Sequence, residues 1–350
     1  METCKKVEEY RKRFDKSLLG EKLVNAESLK SLVRKQILCS AGEKEGGGCR
    51  RSVQVDGLVD YLVRKRTAEV SDVLDMLRSG AENYAPLPHK PFPKWKVKQD
   101  NEKFRAMYRA GLGGTAIHTI TVDGYVDGPL DACLYVSFET SLYPIGFPES
   151  RFHKLTTDFC KRIRLGEQVA LLRAKLAWPL SDRELLLHFS VLEYYEDDLI
   201  IVLLNSVSEK ENFHKEVDGF SIDEIPKPGK ALRVDFVGGV AFQKISDNRT
   251  FLRLILDVDI KISYVPKTIV NFVTGKLAAT TFRLYDKWVA SISEGKGNQR
   301  WEMENPICQR IRDALYLNRD PDRIMETIVL LHDNAAFDNP KILKETLACE

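Results

Sequence analysis

The chain has no long hydrophobic run. Its longest, Leu199 to Leu204, falls far short of the ~20 apolar residues that cross a bilayer, so no membrane-spanning helix is expected. Surplus charge is almost absent: 53 Lys and Arg stand against 51 Asp and Glu in 350 residues. Nucleic acid as the main partner calls for a concentrated basic face, and this balance argues against it. The seven cysteines, at 4, 39, 49, 133, 160, 308 and 349, are odd in number and scattered, without a CxxC. That fits free thiols in a reducing compartment better than a disulfide framework, and it empties the Asn248-Arg249-Thr250 sequon of meaning. The six histidines are isolated, with no HExxH, HxxxH or Cys/His cluster at metal-ligand spacing. Gly111 to Thr115 lacks the following lysine of a phosphate loop, and GxSxG is missing. No internal repeat stands out. The N-terminal stretch has no apolar h-region and soon carries Glu8 and Glu9, unlike a signal or transit peptide. The expectation from these gaps is a soluble cytoplasmic protein that is not an enzyme and holds no metal or cofactor.

What is present is a chain 43% hydrophobic, enough for a sizeable core. Leu18, Leu19, Leu23, Leu29, Leu32, Val33 and Ile37 recur at helical spacing, and Ala41 to Gly48 reads as a flexible linker, so residues 1–50 are expected to be a removable helical extension. A second helical pattern runs from Leu58 to Leu77, ending at Gly80, and Pro86 to Pro93 forms a connector no helix crosses. Strands are expected around 96–109, 115–123, 168–177, 183–194, 199–207, 231–244 and 250–262, with a helix over 129–143. The glycines of Gly238-Gly239, inside a strand pattern, mark a bulge or a close backbone approach. The main domain is placed at 55–295, with its core at 80–295, and 296–350 is read as a helical tail with its pattern at Ile324 to Leu331.

The last strand is the clearest. Leu252, Leu254, Leu256, Val258, Ile260 and Ile262 point one way; Phe251, Arg253, Ile255, Asp257, Asp259 and Lys261 point the other. This period of two predicts an antiparallel strand with one apolar face and one wet, mainly polar face. Asp257 and Asp259 are accordingly read as solvated outer-face residues rather than as a catalytic pair. Pro266 then opens a helix that can run to Ile292, with Ile269, Phe272, Val273, Leu277, Thr280, Leu284 and Trp288 on one stripe. A sheet with an apolar face needs cover, and this helix supplies it. The pattern alone allows a filled core as readily as a cavity.

Two stretches resemble a known family. Trp178-Pro179-Leu180-Ser181-Asp182-Arg183-Glu184 is similar to the WP-x-S-x-R-[DE] turn of START lipid-transfer domains. Asp257 to Lys261, running into Val265-Pro266-Lys267-Thr268-Ile269-Val270-Asn271, resembles that family's entry to its C-terminal helix. The likeness spans roughly residues 80 to 295. It implies an α+β helix-grip fold, a curved antiparallel sheet around a long C-terminal helix, and a lipid ligand in a cavity between them, with transient membrane contact. Trp178, Asp182 and Arg183 would then form a turn that gates entry. Some members carry a cavity-facing arginine six residues after the turn's arginine; here that position is Phe189. The implied ligand therefore leans towards a sterol-like or acyl compound.

By strand parity and helix spacing, the candidate lining residues are Leu185, Leu187, Phe189, Leu254, Leu256 and Val258 from the sheet and Phe272, Val273 and Leu277 from the helix. His118 is a candidate polar group inside the cavity, whereas His188 alternates onto the outer face. Two other readings remain open: a helix-grip enzyme of the polyketide cyclase type, which convergent titratable residues in the cavity would favour, and a scaffold with a filled interior.

Overall fold

The computed structural model describes residues 2–40, 53–81, 93–110, 117–147, 153–176, 181–207, 219–227, 229–259, 261, 278–294 and 305–317. Four helices come first: α1 Glu2–Ser17, α2 Glu21–Val24, α3 Ala26–Ser40 and α4 Val53–Ser79. Strands β1 Lys96–Asp100, β2 Phe104–Ala110 and β3 Ile117–Val126 lead into α5 Leu130–Phe138 and the short α6 Tyr143–Gly146. Then follow β4 His153–Arg164, β5 Glu167–Leu176, β6 Arg183–Tyr194, β7 Leu199–Ser206, β8 Leu232–Arg233, β9 Asp235–Ser246 and β10 Arg249–Asp259, and finally α7 Ala278–Ser293 and α8 Pro306–Tyr316.

The strands form one sheet in the order β1-β2-β3-β10-β9-β7-β6-β5-β4, with antiparallel neighbours throughout. The two-residue β8 pairs parallel to the start of β6. The α+β class, the open curved antiparallel sheet and the helix gripped by it are as expected. The glycines of β9 are close approaches: a Cβ on Gly238 would meet the Ile255 carbonyl, and one on Gly239 would meet both the Val202 carbonyl and the Val73 side chain of α4.

Both faces of the sheet are covered. On the inner face, α5, α7 and α8 pack through Leu130, Cys133, Phe282, Val289, Ile307 and Ile311 onto Phe189, Ile200, Val202, Phe242 and Leu252. On the outer face, α1, α3 and α4 pack through Phe14, Leu18, Val33, Val70, Leu74 and Leu77 onto Leu192, Ile201, Phe251 and Ile255.

The second layer corrects the expectation of a wet outer face. Phe251, Arg253 and Ile255 are fully buried there. Covering them removes apolar area at ~25 cal/mol per Å², and the arginine is tolerated because carboxylates are buried with it. Residues 2–40 are therefore laid against the sheet rather than hung from it. Phe14 packs on Phe251 with ring centroids 5.1 Å apart, and Arg11 donates from Nε to Asp123 on β3 at 2.9 Å. The expectation that this segment can be removed without consequence conflicts with that packing. Likewise α8, beyond the point where the core was expected to end, contributes Ile307, Ile311 and Leu315 to the inner core. The helical pattern at 324–331 lies outside the described residues, as do 262–277, so the long helix is described only from Ala278.

Candidate functional site

Register fixes which side chains share the inner face. Tyr108, Ile120 and Leu256 stand side by side across β2, β3 and β10, and Ala110, His118 and Val258 form the next row. Leu185, Leu187 and Phe189 alternate onto the same face from β6, as expected.

Burial along these strands is graded. On β10, Leu252 is buried, whereas Leu254, Leu256 and Val258 are partly exposed. On β6, Phe189 and Leu187 are buried and Leu185 is not; on β7, Ile200 and Val202 are buried and Leu204 is not; on β3, Val122 is buried and Ile120 and His118 are not. The inner face thus has an end closed by α5, α7 and α8 and an apolar end that is only partly covered. Of the candidate lining residues, Leu187 and Phe189 sit in the closed core, with Phe189 edge-on to Phe138 at 6.2 Å. Leu185, Leu254, Leu256 and Val258 sit at the partly covered end. Phe272, Val273, Leu277 and Trp178 lie outside the described residues.

In the turn, Arg183 does not engage Asp182's carboxylate. Its Nη1 donates to the Ser181 carbonyl at 2.5 Å and to the Ser181 hydroxyl at 2.7 Å. The Asp182 carbonyl accepts from the Leu232 amide at 2.9 Å, which ties the turn to β8. Glu184, next in sequence, is fully buried on the opposite face and accepts from Arg173 at 2.7 Å.

The titratable groups at the closed end are consumed locally. Tyr285 donates to the Cys133 carbonyl at 2.8 Å and lies 3.0 Å from the Ser137 hydroxyl, and Tyr143 donates to the Ser137 carbonyl at 2.6 Å. Burial pushes the Tyr285, Tyr143 and Cys133 ionisations well up, so all three stay protonated. At the partly covered end, the Tyr108 hydroxyl lies 2.8 Å from His118 Nδ1. Burial lowers the His118 pKa against the opposing pull of Asp259, which favours a neutral imidazole.

On the outer face, His188 lies where its alternation placed it, but it is largely buried against charged neighbours. Its ring nitrogens are 3.3 and 3.5 Å from Arg66, which donates to Glu167 at 2.7 Å; Arg164 donates to the other Glu167 oxygen at 2.6 Å. A cavity of about 220 Å³ opens beside this cluster between α4 and the sheet. Sequence reading missed it because its charges come from α4, β4, β5 and β6. Asp257 is also less exposed than expected: it accepts from the Thr119 hydroxyl at 2.5 Å, and burial raises its pKa. Among the described residues, no group of three or more His, Cys, Asp or Glu is arranged to hold a metal, the cysteines at 39, 133, 160 and 308 are free thiols, and no helix is long and apolar enough to cross a membrane.

No protein-family model matches the sequence, and no curated protein matches it. Among solved structures, the chain is similar to human STARD10, at 16% identity over 63% of this chain and 82% of that one, with a TM-score of 0.48. It is similar to the human StAR-related lipid transfer protein 5, at 13% identity over 68% of this chain and 99% of that one, with a TM-score of 0.45. It also resembles the Zhui aromatase/cyclase from Streptomyces sp. R1128, at 12% identity over 52% of this chain and 99% of that one, with a TM-score of 0.32.

Proposed function

We propose that this protein binds a hydrophobic lipid on the inner face of its sheet and carries or senses it without bond chemistry, in contact with membranes only transiently and in the cytoplasm. One observation supports this above the others. The leucines, isoleucines and valines of the inner face continue from the closed end to the partly covered one, yet their cover changes from complete to partial within each of four strands. A packed core has no reason to leave Leu185, Leu204, Leu254, Leu256 and Val258 incompletely covered, since closing over them would gain ~25 cal/mol per Å². An apolar guest that comes and goes supplies that reason.

The non-enzymatic part of the reading is supported by Tyr285, Tyr143 and Cys133 of the closed end: the two tyrosines are bonded to backbone carbonyls and Ser137, and burial drives all three ionisations away from neutral pH. General acid–base work needs groups poised near the working pH.

The test is native mass spectrometry of the purified chain, followed by organic extraction, together with uptake from vesicles of phosphatidylcholine and cholesterol. The expected result is a lipid adduct of about one per chain that survives desalting. A chain that carries no lipid and takes none from the vesicles overturns the proposal. Transfer is tested separately, by movement of labelled lipid from donor to acceptor vesicles.

A further inference from the structure

We propose that Tyr108 and His118 form a hydrogen-bonding head site at the partly covered end of the inner face, and that it selects an uncharged lipid bearing a hydroxyl or ketone oxygen. This deepens the lipid-binding reading above and rests on it.

The two residues are ten apart in sequence and meet only through strand register. Tyr108 pairs with Ile120, His118 pairs with Ala110, and both side chains fall on the face that carries Leu254, Leu256 and Val258. Their rings lie nearly parallel, 21° apart with centroids at 5.9 Å, and the hydroxyl reaches Nδ1 at 2.8 Å. That bond uses one imidazole nitrogen. The other, Nε2, has no protein hydrogen-bond partner among the described residues, and the side chain is partly exposed. A neutral imidazole accepting from Tyr108 at Nδ1 carries its proton on Nε2 and presents it as a donor.

The surroundings set the ligand class. Ile120, Leu256 and Val258 flank the pair, so a polar group among them stands alone on an apolar wall. Leaving such a group unpaired under an apolar guest costs free energy, so a guest bringing one oxygen is favoured over one bringing none. Fixed charge is engaged elsewhere. Asp259, which faces His118 electrostatically, is held by Lys261 at 2.9 Å, and Lys261 also pairs with Asp235. The Lys98 ammonium lies over the Tyr108 ring, 5.9 Å from its centroid. Arg183 is turned back onto Ser181. The pair therefore offers a dipole and not a charge, which suits an alcohol or ketone better than a carboxylate or a phosphate headgroup.

The full chain is tested with radiolabelled lipids presented from cyclodextrin: cholesterol against cholestane, hexadecanol against hexadecane, and palmitate. Wild type is expected to prefer the hydroxylated member of at least one pair by about fivefold to tenfold, the range one net hydrogen bond allows, and to bind palmitate no better than hexadecanol. Tyr108→Phe removes a single oxygen, and His118→Leu removes the donor; each should bring the pair to within twofold, by weakening binding of the hydroxylated member and, in His118→Leu, by tightening that of the hydrocarbon, whose unpaired polar neighbour is gone. His118→Gln, which keeps a donor, should retain part of the preference, and its thermal melt guards against a folding artefact. Equal binding of both members by wild type, a preference the two variants leave intact, or a preference for palmitate overturns the head site while lipid binding stands. Failure of wild type to bind any probe overturns both.

Discussion

Asp123 on β3 stands directly opposite Arg253 on β10, both fully buried, with the Arg253 guanidinium 3.2 Å from the carboxylate. Arg105 on β2 reaches the same oxygen at 3.2 Å from the other side, and Arg11 of α1 caps the remaining oxygen at 2.9 Å. Burial alone would raise the Asp123 pKa, but the three guanidinium groups outweigh it and hold the carboxyl below the usual range. Removing one partner of a buried pair strands the other. Asp123→Ala is expected to destabilise the fold by about 3–5 kcal/mol, read by urea unfolding at pH 7. A loss below about 1 kcal/mol would mean that water or Asp15, 2.6 Å from Arg253, takes over.

The same cluster makes the N-terminal helices structural. A chain starting near residue 52 loses Arg11 and Asp15 from the charge cluster and Phe14, Leu18 and Val33 from the outer core. It is expected to lose its cooperative melt or to unfold at markedly lower temperature, as followed by circular dichroism. An unchanged melt would restore the reading of residues 1–50 as a dispensable extension.

These two points show where sequence patterning runs out. β10 was legible on its inner face because Leu252, Leu254, Leu256 and Val258 are uninterrupted. Its outer face reads as polar because Arg253 and Asp257 sit among Phe251 and Ile255; a buried arginine and a solvated one look alike until Asp123 is found across the sheet. β4 was missed for a related reason. It is an edge strand, exposed at Asp158, Cys160 and Arg162, so neither face carries a clean apolar period. α8 was missed because Arg310, buried against Glu193, and Arg312, paired with Asp131 at 2.5 Å, read as surface charge. At the candidate site, parity placed the strand residues together on one face of the sheet. It could not tell the closed end from the partly covered one, which depends on where α5 and α8 land, nor could it bring Tyr108 to His118.

The Arg66–Glu167–His188 cluster predicts an acid sensitivity. Burial raises the Glu167 pKa, yet Arg66 and Arg164 carry it down to about 2, from an ordinary value of 4.5. The stability it contributes is complete above 4.5 and is lost as pH falls towards 2. Burial, helped by Arg66, holds His188 at about 3 against an ordinary 6.5, with Glu167 opposing. Below 6.5 the unfolded chain takes a proton that the folded chain refuses, so stability falls from 6.5 down to about 3. The two effects have the same sign. Between pH 6.5 and 4.5 the histidine alone accounts for about 2 kcal/mol. Urea unfolding at these two pH values should show His188→Gln losing about one proton's worth of slope relative to wild type. Identical slopes would place the His188 pKa near its ordinary value.

The graded inner face predicts opposite outcomes for one substitution at two sites on one strand. Leu252 and Leu256 point the same way from β10, four residues apart. Leu252 is buried beside Phe242 in the closed core, and Leu256 is partly exposed between Ile120 and Gly238. A tryptophan at a packed position forces its neighbours off their rotamers, at a cost of typically ~1–3 kcal/mol. Leu252→Trp is therefore expected to lower stability by that amount. Leu256→Trp adds bulk where cover is incomplete, and Gly238 beside it contributes no side chain, so its cost should be below about 1 kcal/mol. Its effect should fall instead on lipid, cutting the adduct seen by native mass spectrometry and the uptake from vesicles at least fivefold. Both variants are measured side by side by urea unfolding and by lipid uptake. If Leu256→Trp is as destabilising as Leu252→Trp, the partly covered end is ordinary core. If it folds well and still takes up lipid like wild type, the lipid lies elsewhere, with the outer-face cavity beside His188 the next place to look.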